Sequence, residues 1–149
     1  MIWRAGYRLL LWLLFPWVLV HLWWRGRRQS AYREHIPERF GWYEAKPERP
    51  VIWLHAVSVG ETRAAEPLLR ALAARYPRHA LLLTQMTPTG REAAQQLFGD
   101  TATIVYLPYD YPAAVARFLT QFRPRLGILM ETEIWFNLVE ACARQGVPL

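Results

Sequence analysis

Residues 51–61, with the sequence VIWLHAVSVGE, decide the fold of this chain. The apolar run at 51–57 gives way to small residues, to Gly60 and then to the carboxylate of Glu61. Short apolar runs of this kind are typical of strands that are buried on both faces of a parallel sheet. In open α/β sheets, ligands bind outside the carboxyl ends of the strands. The stretch therefore predicts a strand-to-helix junction with an acidic side chain at the edge where ligands bind.

The rest of the last hundred residues repeats this alternation of apolar and amphipathic runs. A βαβα order with short connections predicts a Rossmann-like α/β fold, in which helices wrap a parallel sheet through right-handed crossovers. Pro67 leaves the start of the first helix open, because proline is tolerated only in a first turn. The predicted strands are 51–57, 80–84, 103–107 and 126–130, and the predicted helices are 61–76 or 66–76, 90–98, 112–122 and 133–144.

The amino-terminal segment has a different composition. Residues 9–24, LLLWLLFPWVLVHLWW, contain no charged side chain. The run ends in two tryptophans, and arginines follow at 25, 27 and 28. Such a run is short for a membrane span of about twenty residues unless residues 2–7 extend it, but its Trp and Arg ending is typical of the headgroup layer. We expect a membrane-anchoring helix, and the alternative is a buried core helix of a soluble protein. A cleavable signal peptide is disfavoured because no small-residue cleavage site follows.

Charge and composition limit the partners. Residues 1–49 hold nine basic and four acidic side chains, which is about +5 of the net charge of +6. The basic surface therefore favours a membrane or an acidic lipid over nucleic acid. A single cysteine, Cys142, excludes an intrachain disulfide and is expected to be packed in the core. The sequence has no glycine-rich phosphate fingerprint, no Walker lysine and no His/Cys metal spacing, so we predict no cofactor and no metal ion.

The chain is predicted to contain three segments. Residues 1–28 form the anchor helix, 29–50 form a polar connector with one short helix near 32–35, and 51–149 form the Rossmann-like domain. Gly146 ends the last helix, and the Val147-Pro148-Leu149 tripeptide that follows resembles the start of a fifth strand. We therefore expect the chain to be a fragment of a longer protein.

Carboxylates are the candidate catalytic side chains. Glu61 follows the first predicted strand, and Glu131 and Glu133 follow the fourth. Because parallel strands end at the same edge of a sheet, Glu61 and Glu131 are expected to face one cleft. A carboxylate placed there can act as a general base. An acid in the first turn of a helix is equally expected as a plain capping residue, and the spacing leaves both interpretations open.

Three other polar groups lie at the same predicted edge. His55 lies inside an apolar strand, where a core histidine is expected more often than a ligand. Residues 87–90, TPTG, predict either an anion-binding loop or a turn with a helix N-cap. Asp110 is predicted to be the N-cap of the helix that starts near Pro112.

Five stretches, taken together and in this order, resemble the bacterial Kdo transferases, which add 3-deoxy-D-manno-octulosonic acid (Kdo) to the lipid A precursor. The resemblance covers nearly the whole chain. One position departs from it, because Phe136 stands where the family usually has proline, and this change leaves the acids untouched. The matching stretches are Tyr32-Arg33 with 38–41 (ERFG), 55–61 (HAVSVGE), 86–90 (MTPTG), 106–110 (YLPYD) and 130–137 (METEIWFN).

The resemblance implies the amino-terminal, acceptor-side domain of a GT-B glycosyltransferase, in which two Rossmann-like domains face each other across a cleft. Glu61 matches the family's catalytic base, and Glu131 matches its second acid, which is credited with stabilising the transition state. The implied donor is CMP-Kdo, held by a carboxyl-terminal domain, and the implied acceptor is the lipid A precursor (lipid IVA). The implied location is the cytoplasmic face of the bacterial inner membrane, in lipopolysaccharide biosynthesis. This chain alone is expected to be inactive, because half of the cleft belongs to the other domain.

Two alternatives stay open at this point. One is a different membrane-associated GT-B glycosyltransferase that uses another nucleotide sugar and another lipid. The other is a non-enzymatic, membrane-tethered module that binds anionic lipid, in which the acids only cap helices.

Overall fold

The computed structural model describes residues 2–130 and 135–149, and their side chains from Gly6 onward. The chain divides into two compact units, Met1–Ile36 and Pro37–Leu149. The division into segments 1–28, 29–50 and 51–149 stays a prediction.

The first unit contains a long apolar helix, α1 (Ile2–Arg28), and a 3₁₀ turn at Ser30–Arg33. The part Gly6–Arg28 is long and apolar enough to cross a membrane by length and composition, and an 18-residue stretch within it has a mean hydropathy of 1.4. Only 11% of it is buried, so the exposed apolar surface favours a membrane anchor over a core helix. At its end the guanidinium of Arg28 lies 4.1 Å from the ring of Trp24, a pair suited to a membrane–water interface.

The second unit is a four-stranded parallel sheet with helices, which confirms the predicted α/β fold. The strand order is β3-β2-β1-β4. The strands lie within one or two residues of the predicted bounds at most ends. A 3₁₀ turn, Ile36–Phe40, precedes the sheet. The strands are β1 (Val51–His55), β2 (Ala80–Gln85), β3 (Ala102–Tyr106) and β4 (Pro124–Leu129), and the helices are α2 (Val59–Ala64), α3 (Glu66–Arg75), α4 (Pro88–Phe98), α5 (Pro112–Phe122) and α6 (Phe136–Gln145).

Both faces of the sheet are covered by apolar side chains, which explains why β1 is apolar along its whole length. Trp53 points into one cluster, which also contains residues of α5 and α6, and its ring packs against that of Phe118. Leu54 points into the opposite cluster with Leu69. Cys142 is fully buried in the first cluster, which confirms its predicted packing, and burial raises the pKa of its thiol to about 11. The continuous apolar run is thus a consequence of burial on two sides.

The junction after β1 differs from the prediction. The strand ends at His55 rather than at residue 57, because the Val57 N–H donates to the Glu61 side chain instead of to a neighbouring strand. Of the two predicted bounds of the first helix, 66–76 matches α3, and a separate short helix, α2, precedes it; the two helices meet at Ala65. Pro67 lies in the first turn of α3, where its missing N–H costs no hydrogen bond.

The prediction for Asp110 is wrong. Helix α5 begins after Tyr111 without a side-chain cap. The carboxylate of Asp110 instead accepts the backbone N–H groups of Asn137 and Leu138, at 3.0 and 2.9 Å, and so caps α6. Helix α6 begins at Phe136, later than predicted, and Trp135 at its N-cap position provides no side-chain cap. A buried carboxylate from another loop therefore supplies the acceptor that the helix lacks.

Candidate active site

The strand order reverses between β1 and β4. The chain runs outward from β1 to β3 and then returns to the other side of β1 as β4. Ligands in open α/β sheets bind where the strand order reverses in this way. Glu61 follows β1 at this edge. Glu131 and Glu133 lie outside the described residues, but Met130 just before them donates its N–H to the His55 carbonyl oxygen at 2.9 Å.

The Glu61 carboxylate is held by two donors and remains partly exposed. Its Oε2 accepts the Val57 N–H at 2.7 Å, and its Oε1 accepts the Ser58 hydroxyl at 2.9 Å. The Ser58 oxygen also accepts the Glu61 N–H at 3.4 Å, which makes Ser58 the N-cap of α2. This is a variant of the capping box, in which the Glu61 side chain accepts the N–H of Val57, one residue before the N-cap, instead of the N–H of Ser58 itself. Each carboxylate oxygen can accept a second hydrogen bond, so a capping role leaves the carboxylate free to accept a substrate proton.

The loop after β2 is attached to the loop that holds Glu61. Thr87 is the N-cap of α4, because its hydroxyl oxygen accepts the Gly90 N–H at 3.1 Å. This confirms the N-cap interpretation of residues 87–90. The same hydroxyl donates to the carbonyl oxygen of Val57 at 3.2 Å. The two loops at the carboxyl edge are therefore joined by one threonine side chain.

Residues 38–39 cover the carboxyl ends of β2 and β3. Glu38 accepts the Tyr106 N–H at 2.7 Å and pairs with the Arg91 guanidinium. Arg39 is only 2% exposed, its guanidinium lies 3.9 Å from the Tyr106 ring, and it donates to the Met86 carbonyl oxygen at 3.2 Å. Glu38 and Arg39 thus form contacts with residues at the ends of these two strands, whereas the carboxylate that follows β1 is partly exposed.

His55 is a core histidine, as expected. Its side chain is fully buried, and its Nδ1 lies 2.9 Å from the Thr84 hydroxyl and 3.1 Å from the Thr84 carbonyl oxygen. Burial lowers the pKa of His55 to about 4, so the imidazole is neutral at pH 7. Its Nε2 has no hydrogen-bond partner among the residues that the structure describes. The neutral imidazole therefore links β1 to β2 through its hydrogen bonding with Thr84.

Replacing His55 with glutamine should reduce the loss of stability in acid. Below about pH 6.5 the unfolded chain binds a proton at His55 that the folded chain does not bind until about pH 4. The free energy of unfolding should therefore fall by up to about 3 kcal/mol across this window because of His55 alone. Urea unfolding at pH 7.0, 5.5 and 4.5 checks this, with His79→Gln as the control. Equal acid losses in the wild type and His55→Gln would contradict it.

A metal site is not evident in the described ranges, since no three His, Cys, Asp or Glu side chains there are placed to hold an ion. The polar atoms around Glu61 are hydroxyls, a carboxylate and backbone groups. These groups suit proton transfer and the binding of sugar hydroxyls.

Sequence comparisons identify the family. A family profile described as 3-deoxy-D-manno-octulosonic-acid transferase (kdotransferase) matches residues 34–149. The chain is 44% identical over 156 residues to a 3-deoxy-D-manno-octulosonic acid transferase of Bordetella pertussis, covering 98% of this chain and 36% of that protein. It is 38% identical over 148 residues to the Haemophilus influenzae protein of the same name, covering 98% of this chain and 35% of that protein.

This chain belongs to the Kdo transferase family. A relative from Arabidopsis thaliana, described as a probable mitochondrial 3-deoxy-D-manno-octulosonic acid transferase, is 34% identical over 144 residues, covering 96% of this chain and 32% of that protein. The chain therefore spans about a third of the length of these curated relatives.

Within this Kdo transferase chain, sequence reasoning missed two groups of residues at the site. One is the dipeptide Glu38-Arg39, which lies in a polar stretch and packs on the sheet edge. The other is the pair of buried side chains behind the Glu61 loop, Thr62 and Gln85. Thr87 was within the predicted N-cap turn at 87–90, but its bond to Val57 was not predicted. No local pattern indicated the others.

Proposed function

We propose that the complete protein containing this chain transfers Kdo from CMP-Kdo to the lipid A precursor lipid IVA, in lipopolysaccharide biosynthesis. The observation that supports this most is the Glu61 carboxylate. It is oriented by the Val57 N–H and the Ser58 hydroxyl and lies partly exposed beside the strand-order reversal. Membership of the Kdo transferase family supports the choice of sugar.

In the proposed reaction Glu61 is the general base. An acceptor sugar hydroxyl is a weak nucleophile until its proton is removed, and a carboxylate within hydrogen-bond reach can take that proton. The hydroxyl oxygen then forms a bond to the anomeric carbon of Kdo. The bond between that carbon and the phosphate oxygen breaks, and CMP leaves with the electron pair. The proton ends on the Glu61 carboxylate, so atoms and charge balance.

Glu131 is proposed as the second acid. The anomeric carbon becomes electron-poor as CMP leaves, and a carboxylate nearby stabilises the developing positive charge. The residue before it, Met130, donates its N–H to the carbonyl oxygen of His55, the last residue of β1. Both acids are site proposals for the complete protein.

We further propose that α1 anchors the protein to the cytoplasmic face of the inner membrane, where lipid IVA is present. The helix has exposed apolar side chains such as Leu13, at 70% exposure, and ends in the stacked Trp24–Arg28 pair. Arginines beside the membrane are complementary to anionic headgroups. The CMP part of the donor is assigned to a carboxyl-terminal domain, and this chain alone is expected to lack transfer activity.

The test is to incubate the complete protein with CMP-Kdo and lipid IVA and to analyse the lipid by mass spectrometry. We expect lipid products heavier by the mass of one or more Kdo residues. Reactions without CMP-Kdo, and reactions with residues 1–149 alone, should give no such product. An unchanged lipid mass with the complete, folded protein would refute the named reaction. A mass increment from another nucleotide sugar alone would indicate a different glycosyltransferase.

A further inference from the structure

We infer that Thr87 and Thr62 are positioning residues for Glu61, an inference that rests on the proposed role of Glu61 as the base. Neither threonine bonds to the carboxylate itself in the structure. Each donates to a residue that does, and together they fix both residues that orient the carboxylate.

The dipeptide Val57-Ser58 holds Glu61 from one side. The Val57 N–H and the Ser58 hydroxyl each bond to a different oxygen of the Glu61 carboxylate. The direction in which the carboxylate points therefore depends on where this dipeptide lies. Neither of its residues belongs to β1 or α2, because the strand ends at His55 and the helix begins at Val59. Helix α2 holds Ser58, whose carbonyl oxygen accepts the Thr62 N–H at 2.9 Å, so the position of Val57 must be set by other contacts.

Both carbonyl groups of the dipeptide accept a threonine hydroxyl. The Thr87 Oγ1 donates to the Val57 oxygen at 3.2 Å, and the Thr62 Oγ1 donates to the Ser58 oxygen at 2.8 Å. A hydroxyl has one proton, so these are the donor bonds of the two threonines. The dipeptide is thus held at successive carbonyls while its N–H and hydroxyl hold the base.

The two threonines are themselves fixed. Thr62 and Gln85 are fully buried, and the Gln85 side-chain amide donates to the Thr62 oxygen at 2.9 Å. Gln85 is the last residue of β2, so this contact ties α2 to the sheet. Thr87 follows it along the chain and caps α4 through Gly90. Gly90 leaves room for this arrangement, since a Cβ there would lie 2.4 Å from the Gln85 side-chain oxygen and 2.9 Å from the Thr87 hydroxyl.

This arrangement matters because proton transfer depends steeply on geometry. A base must lie within roughly 3 Å of the hydroxyl that it deprotonates, and a misplacement of about 1 Å can cost ~10²-fold in rate. If the Val57 carbonyl loses its partner, the dipeptide can shift and the carboxylate moves with it. We expect both substrates to bind as before, because neither threonine is proposed to contact the sugar or the lipid.

The experiment measures kcat and KM of the complete protein for CMP-Kdo and lipid IVA. Thr87→Val should lower kcat by at least ~10-fold and leave both KM values within about twofold. Thr87→Ser keeps the hydroxyl and should restore most of the rate. Thr62→Val and Thr62→Ser form a second pair with the same expectation. Thr103→Val, at an exposed position of β3, is the control and should behave like the wild type.

A purely structural effect is separated by a double-mutant cycle. If Thr87 acts through Glu61, then Thr87→Val should have little further effect on the residual rate of a Glu61→Gln protein. If it acts only by capping α4, the two rate losses should multiply. Thermal unfolding identifies any variant that fails to fold at the assay temperature, and the Thr62 pair then decides the question.

The failures of the two proposals are distinguishable. If Glu61→Gln keeps its rate, the proposed base is wrong, and this inference with it. If Glu61→Gln is inactive but Thr87→Val and Thr62→Val keep a wild-type kcat, the base stands and the positioning role is refuted. A failure of the serine variants to restore the rate, or multiplicative losses in the cycle, would also overturn the positioning role.

Discussion

Glu61→Gln is expected to lower kcat for Kdo transfer by ~10²- to 10⁴-fold, the usual worth of general base assistance. Glutamine has nearly the same shape, and its carbonyl oxygen can still accept one of the two hydrogen bonds that reach Glu61. Its amide cannot take up the acceptor proton. Binding of CMP-Kdo and lipid IVA should therefore persist. The measurement is kcat and KM in the complete protein, with lipid binding followed separately.

The control for this variant is Glu92→Gln, which removes a carboxylate from an exposed position of α4. It should retain the wild-type rate. Because Glu61 also belongs to the capping box of α2, some loss of thermal stability is expected from Glu61→Gln. A lower unfolding midpoint together with near-normal turnover would mean that Glu61 only caps the helix, and would remove it from the role of base.

The fold was predictable because its signal is local. Each strand of the sheet is a short apolar run buried on both faces, and each helix has an apolar side that packs on the sheet. The sequence did not predict the short helix α2 as an element of its own, although Pro67 correctly indicated that a helix could begin at residue 66. One hydrogen bond, from the Val57 N–H to the Glu61 side chain, separates the carboxyl end of β1 from the start of α2.

The parts that could not be predicted depend on residues far apart in the chain. Arg39 contacts Met86 across 47 residues, and Asp110 caps α6 across 27. A buried arginine in a polar stretch has no periodic pattern to reveal it. The capping of a helix by a distant loop has no spacing rule either, so the sequence predicts Asp110 as the N-cap of the nearest helix, α5, instead of α6.

Glu61 shows why the two interpretations of an acid at a strand end need not exclude each other. The capping box uses one lone pair on each carboxylate oxygen and fixes the side chain. The remaining lone pairs point away from those donors. A fixed and partly exposed carboxylate is what general base catalysis requires. Capping is therefore a means of orienting the proposed base.

Glu131→Ala is expected to reduce kcat on the order of 10²-fold, by loss of a charge that stabilises the transition state. The described chain on either side of Glu131 is attached to the edge of the sheet. Met130 donates its N–H to the His55 carbonyl oxygen. Asn137 donates its backbone N–H to the Asp110 carboxylate and its side-chain amide N–H to the Asp110 carbonyl oxygen. Removal of the side chain should therefore leave the surrounding fold intact. The effect should appear in single-turnover rates with both substrates saturating.

Two further variants identify the cause of that loss. Glu131→Gln keeps the size and the hydrogen-bonding atoms but removes the charge, so a loss equal to that of Glu131→Ala would indicate charge stabilisation. A smaller loss would indicate positioning through hydrogen bonds. Glu133→Gln, two residues away in the same segment, is the matched control and should be close to wild type. If Glu131→Ala itself has wild-type single-turnover kinetics, Glu131 has no part in the reaction, and Glu61 must act without a second acid from this segment.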